Sequence, residues 1–281
     1  MQEIDVFVAA LFAASLAAGL LGSIAGLGGG VLLVPLLTVG FGLPIRLAIG
    51  ASIVSVIATS SAAGAAYVTD HLTNVRLAML LEVATSVGAV TGALIAPWLP
   101  TRLLFIVFGL LLAGSLVPTV ARLGEEDPRD VAPDRLARRW RLSSAYPDRA
   151  RGRVIPYAVT GVPLGFGLMY VAGVASGLLG IGSGALKVLA LDTVMRLPIK
   201  VSSATSNFMI GVTAAASAGI YFWRGDVVPV IAAPVALGIL IGATVGSRLL
   251  TRVHGQVVRR VFTVALAVVA VEMLLRGIRG P

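Results

Sequence analysis

Apolar residues in this chain come in long runs, and Pro, Gly and charge divide them into ten segments. The first five lie near 5–24, 30–41, 47–68, 76–97 and 103–121. A polar stretch, 122–153, follows, and then five more near 155–178, 184–195, 200–222, 228–249 and 260–276. Most match the ~20 residues that carry a helix across a bilayer core. The second segment of each set has only about a dozen residues, which fits a half-helix or a re-entrant piece better than a full crossing. The pattern predicts an all-α polytopic membrane protein. Its organisation would be a first transmembrane repeat over 1–121, a basic cytoplasmic linker over 122–153 and a second repeat over 154–281.

The two sets match when the first is shifted by 154 residues. Gly26, Gly28 and Gly30 fall on Gly180, Gly182 and Gly184, Leu43-Pro44-Ile45 on Leu197-Pro198-Ile199, Ser52 on Ser206 and Tyr67 on Tyr221. Between 19–92 and 173–246 there are 18 identities in 74 positions. Chance in chains of this composition gives roughly seven, so the halves read as a duplication.

Composition agrees with the pattern. Of 281 residues, 57% are hydrophobic and 12% charged, and the mean hydropathy is +0.97. That excludes an ordinary soluble enzyme, a disordered chain and a nucleic-acid-binding domain. No nucleophile–base arrangement and no His/Glu metal spacing is visible, and there is no cysteine, so neither an enzyme activity nor a cofactor or metal is expected. With the N-terminus outside and an odd number of crossings per half, the inner loops hold sixteen Lys and Arg and the outer ones five. The positive-inside rule therefore predicts inverted halves with both termini outside. Within the linker, Asp134–Leu142 is expected either as solvated connection or as a short basic helix on anionic membrane lipid.

The candidate chemistry lies in the duplicated glycines. Gly26-Leu27-Gly28-Gly29-Gly30 and Gly180-Ile181-Gly182-Ser183-Gly184 precede the two short segments. Glycine at every second position favours an unwound stretch. A half-helix starting there aims unpaired N–H groups and its positive dipole end into the protein, which attracts an anion. Two inverted copies meeting at the midplane are the arrangement of secondary transporters. Lys187 lies in the first turn after Gly184 and calls for an anionic partner, either a substrate or Glu82 or Asp192. Thr205-Ser206-Asn207 and its mate Ser52 offer donors to an anion, or bonds back to their own helices. Glu82, an intramembrane carboxylate, is a candidate proton carrier or a partner to Lys187. The expected substrate contacts are Gly28, Gly29, Gly30, Ser52, Gly182, Ser183, Gly184, Lys187, Thr205, Ser206 and Asn207. The small-xxx-small sets Gly22/Gly26, Gly88/Gly92 and Gly242/Gly246 are read as helix packing.

These motifs resemble the TauE/SafE family, the sulfite exporter family. The resemblance rests on Gly19–Gly30 and Gly177–Gly184, each followed by Leu-Pro and then by Ala51-Ser52 or Thr205-Ser206-Asn207. It implies movement of sulfite or small organosulfonates such as sulfoacetate across a prokaryotic cytoplasmic membrane. Ala51 stands where a threonine is expected. The alternatives are an anion channel on the same scaffold and a membrane factor acting through 122–153.

Overall fold

The computed structural model describes residues 2–24, 30–121, 131–148, 152–249 and 255–279. The first half contains α1 (Gln2–Ile24), α2 (Gly30–Pro35), α3 (Ile45–Thr69), α4 (Val75–Ile95) and α5 (Thr101–Ala121). The linker contains α6 (Arg135–Arg139), β1 (Ser144–Asp148) and β2 (Arg153–Tyr157). The second half contains α7 (Val162–Leu179), α8 (Gly184–Leu189), α9 (Ile199–Trp223), α10 (Pro229–Leu249) and α11 (Gly255–Arg279). Among the described residues, α3, α7 and α4 with its short extension to Trp98 are long and apolar enough to cross a membrane. Shorter apolar stretches lie in α1, α2, α5 and α10. Met79, Val83 and Val87 lie on the outer surface of α4, as a lipid-facing wall requires. The chain is a multi-pass α-helical membrane protein.

The linker departs from an all-α reading. β1 and β2 pair antiparallel, with Ser144 opposite Tyr157 and Asp148 opposite Arg153. The physical reason is a period of two: Ile155 and Tyr157 are buried while Arg153, Val154 and Pro156 are exposed. The strand takes residues expected to open the sixth apolar segment, so α7 begins at Val162 and not near 155. The linker is also folded against the membrane body. Leu142, Tyr146, Ile155 and Tyr157 share a core with Leu77 and Leu81 of α4 and Met169 of α7. Asp134 fixes its start: one carboxylate oxygen caps α6 by accepting from Ala137 N–H (2.6 Å), and the other accepts from Val162 N–H (2.8 Å).

The duplication appears element by element. A shift of 154 maps α2 onto α8, α3 onto α9 and α4 onto α10 with identical bounds. The π-helical turns that extend the short helices, Leu36–Gly40 and Ala190–Val194, also coincide at that shift. The bond from Leu43 N–H to Leu37 O (3.0 Å) recurs from Leu197 N–H to Leu191 O (3.1 Å). Close approaches fix the directions. Gly64 faces Phe208 and Gly211 faces Ser60, so α3 and its mate α9 run antiparallel. Gly109 meets Leu274 and Gly277 meets Ile106, so α5 and α11 do the same. Mates that oppose each other are the mark of inverted repeats. The halves are interleaved: α1 packs on α10 and α4 on α7.

Both short helices re-enter. The end of the α8 extension returns to the start of α7, where Thr160 N–H donates to Met195 O (3.3 Å). On the opposite side Phe7 near the start of α1 stacks edge-on against Phe41, just past the α2 extension, with ring centroids 5.9 Å apart. The molecule thus has a terminal face, with the outer ends of α1 and α11, and a linker face, with α6, β1 and β2.

Candidate functional site

The second glycine break, Gly180–Gly184, and the start of α2 at Gly30 come together against α3 and α9. Gly180 (φ 65°) ends α7, and Gly182 (φ 72°) and Ser183 (φ 49°) stay left-handed before α8 starts. Glycine tolerates those angles without strain. On the other side Gly30 opens α2 against Ser52, Val56 and the Ile181 carbonyl. Gly28 and Gly29 lie outside the described residues. Since α3 and α9 oppose each other, the re-entrant helices that lie back along them start head to head at this junction.

Two serines secure the breaks. Ser52 on α3 donates to Gly180 O (2.9 Å), with a longer approach to Gly30 O (3.4 Å). Its mate Ser206 on α9 donates to Gly184 O (3.1 Å). Both are buried, and each binds a break that its own helix does not carry. Ser183, 2% exposed, has a hydroxyl oxygen with no partner. A buried hydroxyl without a bond costs about 1–3 kcal/mol, which a ligand acceptor or donor there would recover. Around these polar atoms the packing is aliphatic. Ile49 and Ile53 close on Gly180, and Val56 and Ile210 close on Gly182.

Lys187 is fully buried on α8. Its Nζ donates to Thr213 Oγ1 (2.5 Å), and that hydroxyl lies 2.7 Å from Glu82 Oε1, to which it donates. Ser86 donates to the same carboxylate oxygen (2.9 Å). Glu82 Oε2 has no partner. The cation and the carboxylate are therefore joined through a neutral hydroxyl, with three elements, α4, α8 and α9, contributing one group each. Thr213 was not among the residues singled out from the sequence. Its signal was present: Thr59 falls on Thr213 at the 154-residue shift, one of the identities between the halves. In the first half that threonine bonds back to Ser55 O (3.0 Å) and Val56 O (3.3 Å), as Thr213 also approaches Met209 O (2.8 Å), and Leu33 and Ala236 stand at the mates of Lys187 and Glu82. The charged relay thus links the two halves, Glu82 from the first and Lys187 and Thr213 from the second, and the mated positions do not repeat it.

The rest of the hydroxyl–amide cluster faces elsewhere. Thr205 Oγ1 accepts from Asn74 N–H (3.1 Å), towards the linker face. Asn207 donates its amide to Ser203 O (3.0 Å) on its own helix, and its backbone carbonyl accepts from Ser60. So Gly30, Ser52, Gly182, Ser183, Gly184 and Ser206 gather at the junction. Lys187 and Glu82 form a relay beside it, and Thr205 and Asn207 point away. The paired glycines Gly88, Gly92 and Gly242 pack helices: Gly88 meets Tyr170, Gly92 meets Val174 and Gly242 meets Leu16.

A family model described as Sulfite exporter TauE/SafE matches residues 11–273. The "Probable membrane transporter protein YunE" of Bacillus subtilis (strain 168) is 23% identical over 270 residues, which cover 94% of this chain and 96% of that protein. The "Probable membrane transporter protein ORF9" of Sinorhizobium sp is 23% identical over 280 residues, 98% of this chain and 95% of that one. No solved structure matches the chain.

Proposed function

The chain belongs to the sulfite exporter TauE/SafE family, and we propose that this membrane transporter moves a small oxyanion, sulfite or an organosulfonate such as sulfoacetate, across a prokaryotic cytoplasmic membrane. The observation that carries the reading is the unpartnered Ser183 hydroxyl, buried in the Gly180–Gly184 break close to the start of α2 at Gly30 and one helical turn before Lys187. An anion there would accept from Ser183, from Lys187 and from the N–H groups of the breaks, including those of Gly28 and Gly29. Ser52 and Ser206 would join by releasing the carbonyls they now hold. The aliphatic packing of Ile49, Ile53, Val56 and Ile210 on Gly180 and Gly182 supports a transporter, in which access alternates as one bundle moves against the other.

Glu82 gives the coupling. Ionised, it balances Lys187 through Thr213; protonated, it leaves Lys187 free to balance the substrate. Proton and anion then bind together, and each raises the affinity for the other. The sign follows: anion binding strengthens as pH falls through the range in which Glu82 gains its proton. Thermal stabilisation of the purified protein by sulfite, sulfoacetate, taurine, sulfate and chloride ranks ligands by mass action. Sulfite or sulfoacetate is expected to stabilise most. Lys187→Ala is expected to weaken that binding by roughly 10–100-fold, the worth of one charge-assisted hydrogen bond. Glu82→Gln should flatten its pH dependence. Unchanged affinity in Lys187→Ala removes the lysine from the site, and no stabilisation by any anion overturns the reading.

A further inference from the structure

A cavity of about 330 Å³ lies away from the glycine junction, at the terminal face. It opens between the end of the first re-entrant helix, the starts of α3 and α5 and the end of α11. Thr38, Arg46, Thr101 and Arg276 form its polar wall, and Leu43 and Phe105 contribute apolar surface. Among the described residues no carboxylate lines it, and Glu272 forms an ion pair with Arg276 of its wall (3.1 Å). Both guanidiniums are held in place. Arg46 donates to Pro97 O (3.0 Å), and Arg276 donates to Glu272 Oε1 (3.1 Å) and Thr38 O (3.3 Å). Each guanidinium has five N–H donors, so these bonds fix the side chains without exhausting them. The mated end of the second half has Asp192 in place of Thr38 and Lys200 in place of Arg46. The two guanidiniums come one from each half, Arg46 from α3 and Arg276 from α11.

We propose that this cavity is a second anion site, which captures a small organic oxyanion at the terminal face. Two planar forks suit a sulfonate or carboxylate headgroup. The volume lies at the lower end of ligand pockets, ~300–1,000 Å³, and well above what a bare sulfite fills, so the chemistry selects a headgroup on a short hydrocarbon body. Leu43 and Phe105 would cover that body. A lipid headgroup offers the same chemistry, an oxyanion on an apolar body, and the test separates the two. The site stands independently of the glycine junction.

The chain has no cysteine, so Thr101→Cys places a single reporter thiol in the cavity wall. The measurement is the rate at which a maleimide alkylates that thiol in phosphatidylcholine nanodiscs, with and without sulfoacetate at constant ionic strength. Sulfoacetate is expected to slow alkylation by roughly threefold or more, and chloride to leave it unchanged. Adding Arg46→Gln and Arg276→Gln should abolish the protection while gel filtration still shows a monodisperse protein. Adding Lys187→Ala should leave it intact, which separates this site from the junction. Protection lost in Lys187→Ala but kept without the arginines would overturn the proposal. So would equal protection by chloride. If phosphatidylglycerol in the nanodisc protects the thiol and sulfoacetate adds nothing, the cavity is a lipid site and the proposal fails.

Discussion

Every polar group of Asn74 has a partner. Its backbone N–H donates to Thr205 Oγ1 (3.1 Å) and its carbonyl accepts from Ala78 N–H (2.9 Å). Its Oδ1 caps α4 by accepting from Leu77 N–H (3.1 Å), and its Nδ2 donates to Leu142 O (2.8 Å) and Tyr157 Oη (3.0 Å). One side chain thus joins α4 to the folded linker. Asn74→Ala removes the cap and two bonds to the linker, an expected loss of about 2–3 kcal/mol, read as faster hydrogen exchange across β1 and β2. Tyr157 adds a pH dependence. Burial pushes its phenol up to about 12, against the pull of hydrogen bonds from Asn74 and Ser144. The raised value means the folded state keeps the proton longer than the unfolded one. Linker docking is therefore fully present below about pH 10 and weakens between pH 10 and about 12. Tyr157→Phe should abolish that alkaline window, which linker-specific hydrogen exchange or proteolysis across pH 9–12 would show. Nothing in the sequence marked Asn74, because its role exists only once residues 68 and 83 positions later fold back onto it.

At the scale of elements, α4 and α7 touch backbone to backbone. A methyl at Gly173 would run into the Thr85 carbonyl, and one at Gly177 into that of Ala89. Small residues allow this approach, which replaces the hydrophobic drive that lipid cannot supply between helices. Gly173→Ala is expected to cost about 1–3 kcal/mol, lowering the apparent Tm in detergent by roughly 3–10 °C. Gly167→Ala on the same helix meets nothing within 4 Å and should leave Tm unchanged or slightly raised. Equal effects of the two would show that close packing is not what Gly173 supplies. Element bounds were legible in the sequence because Gly, Pro and charge punctuate them: the short segment expected near 184–195 is observed as Gly184–Val194. The β-hairpin was not, since the charges of 122–153 masked an alternation only five residues long in each strand. The junction glycines were legible from their repeat. The partner of Lys187 was not, since a threonine reads as ordinary helix surface until α9 turns Thr213 towards both α8 and α4.

At the scale of the molecule, the inverted halves leave one question of sign, namely which face is outside. The terminal face holds Arg46, Arg102, Arg224, Arg276 and Arg279, while Arg76, Arg196, Lys200 and the folded linker lie on the other. Positive charge retained during insertion should keep the linker face in the cytoplasm. Arg224 and Arg46 do not weaken this, because both are tied to the last carbonyls of α4 and its extension, Ala93 O (3.1 Å) and Pro97 O (3.0 Å). There they answer the negative end of a helix dipole. Single thiols in the cysteine-free chain read the orientation directly. In intact cells a membrane-impermeant maleimide should label Arg279→Cys and spare Ala145→Cys, both exposed positions, and permeabilised cells should label both. The reverse labelling would place the linker outside, against a sixteen-to-five charge excess. It would also turn the two-arginine cavity towards the cytoplasm, so the same measurement decides from which compartment that cavity draws its anion.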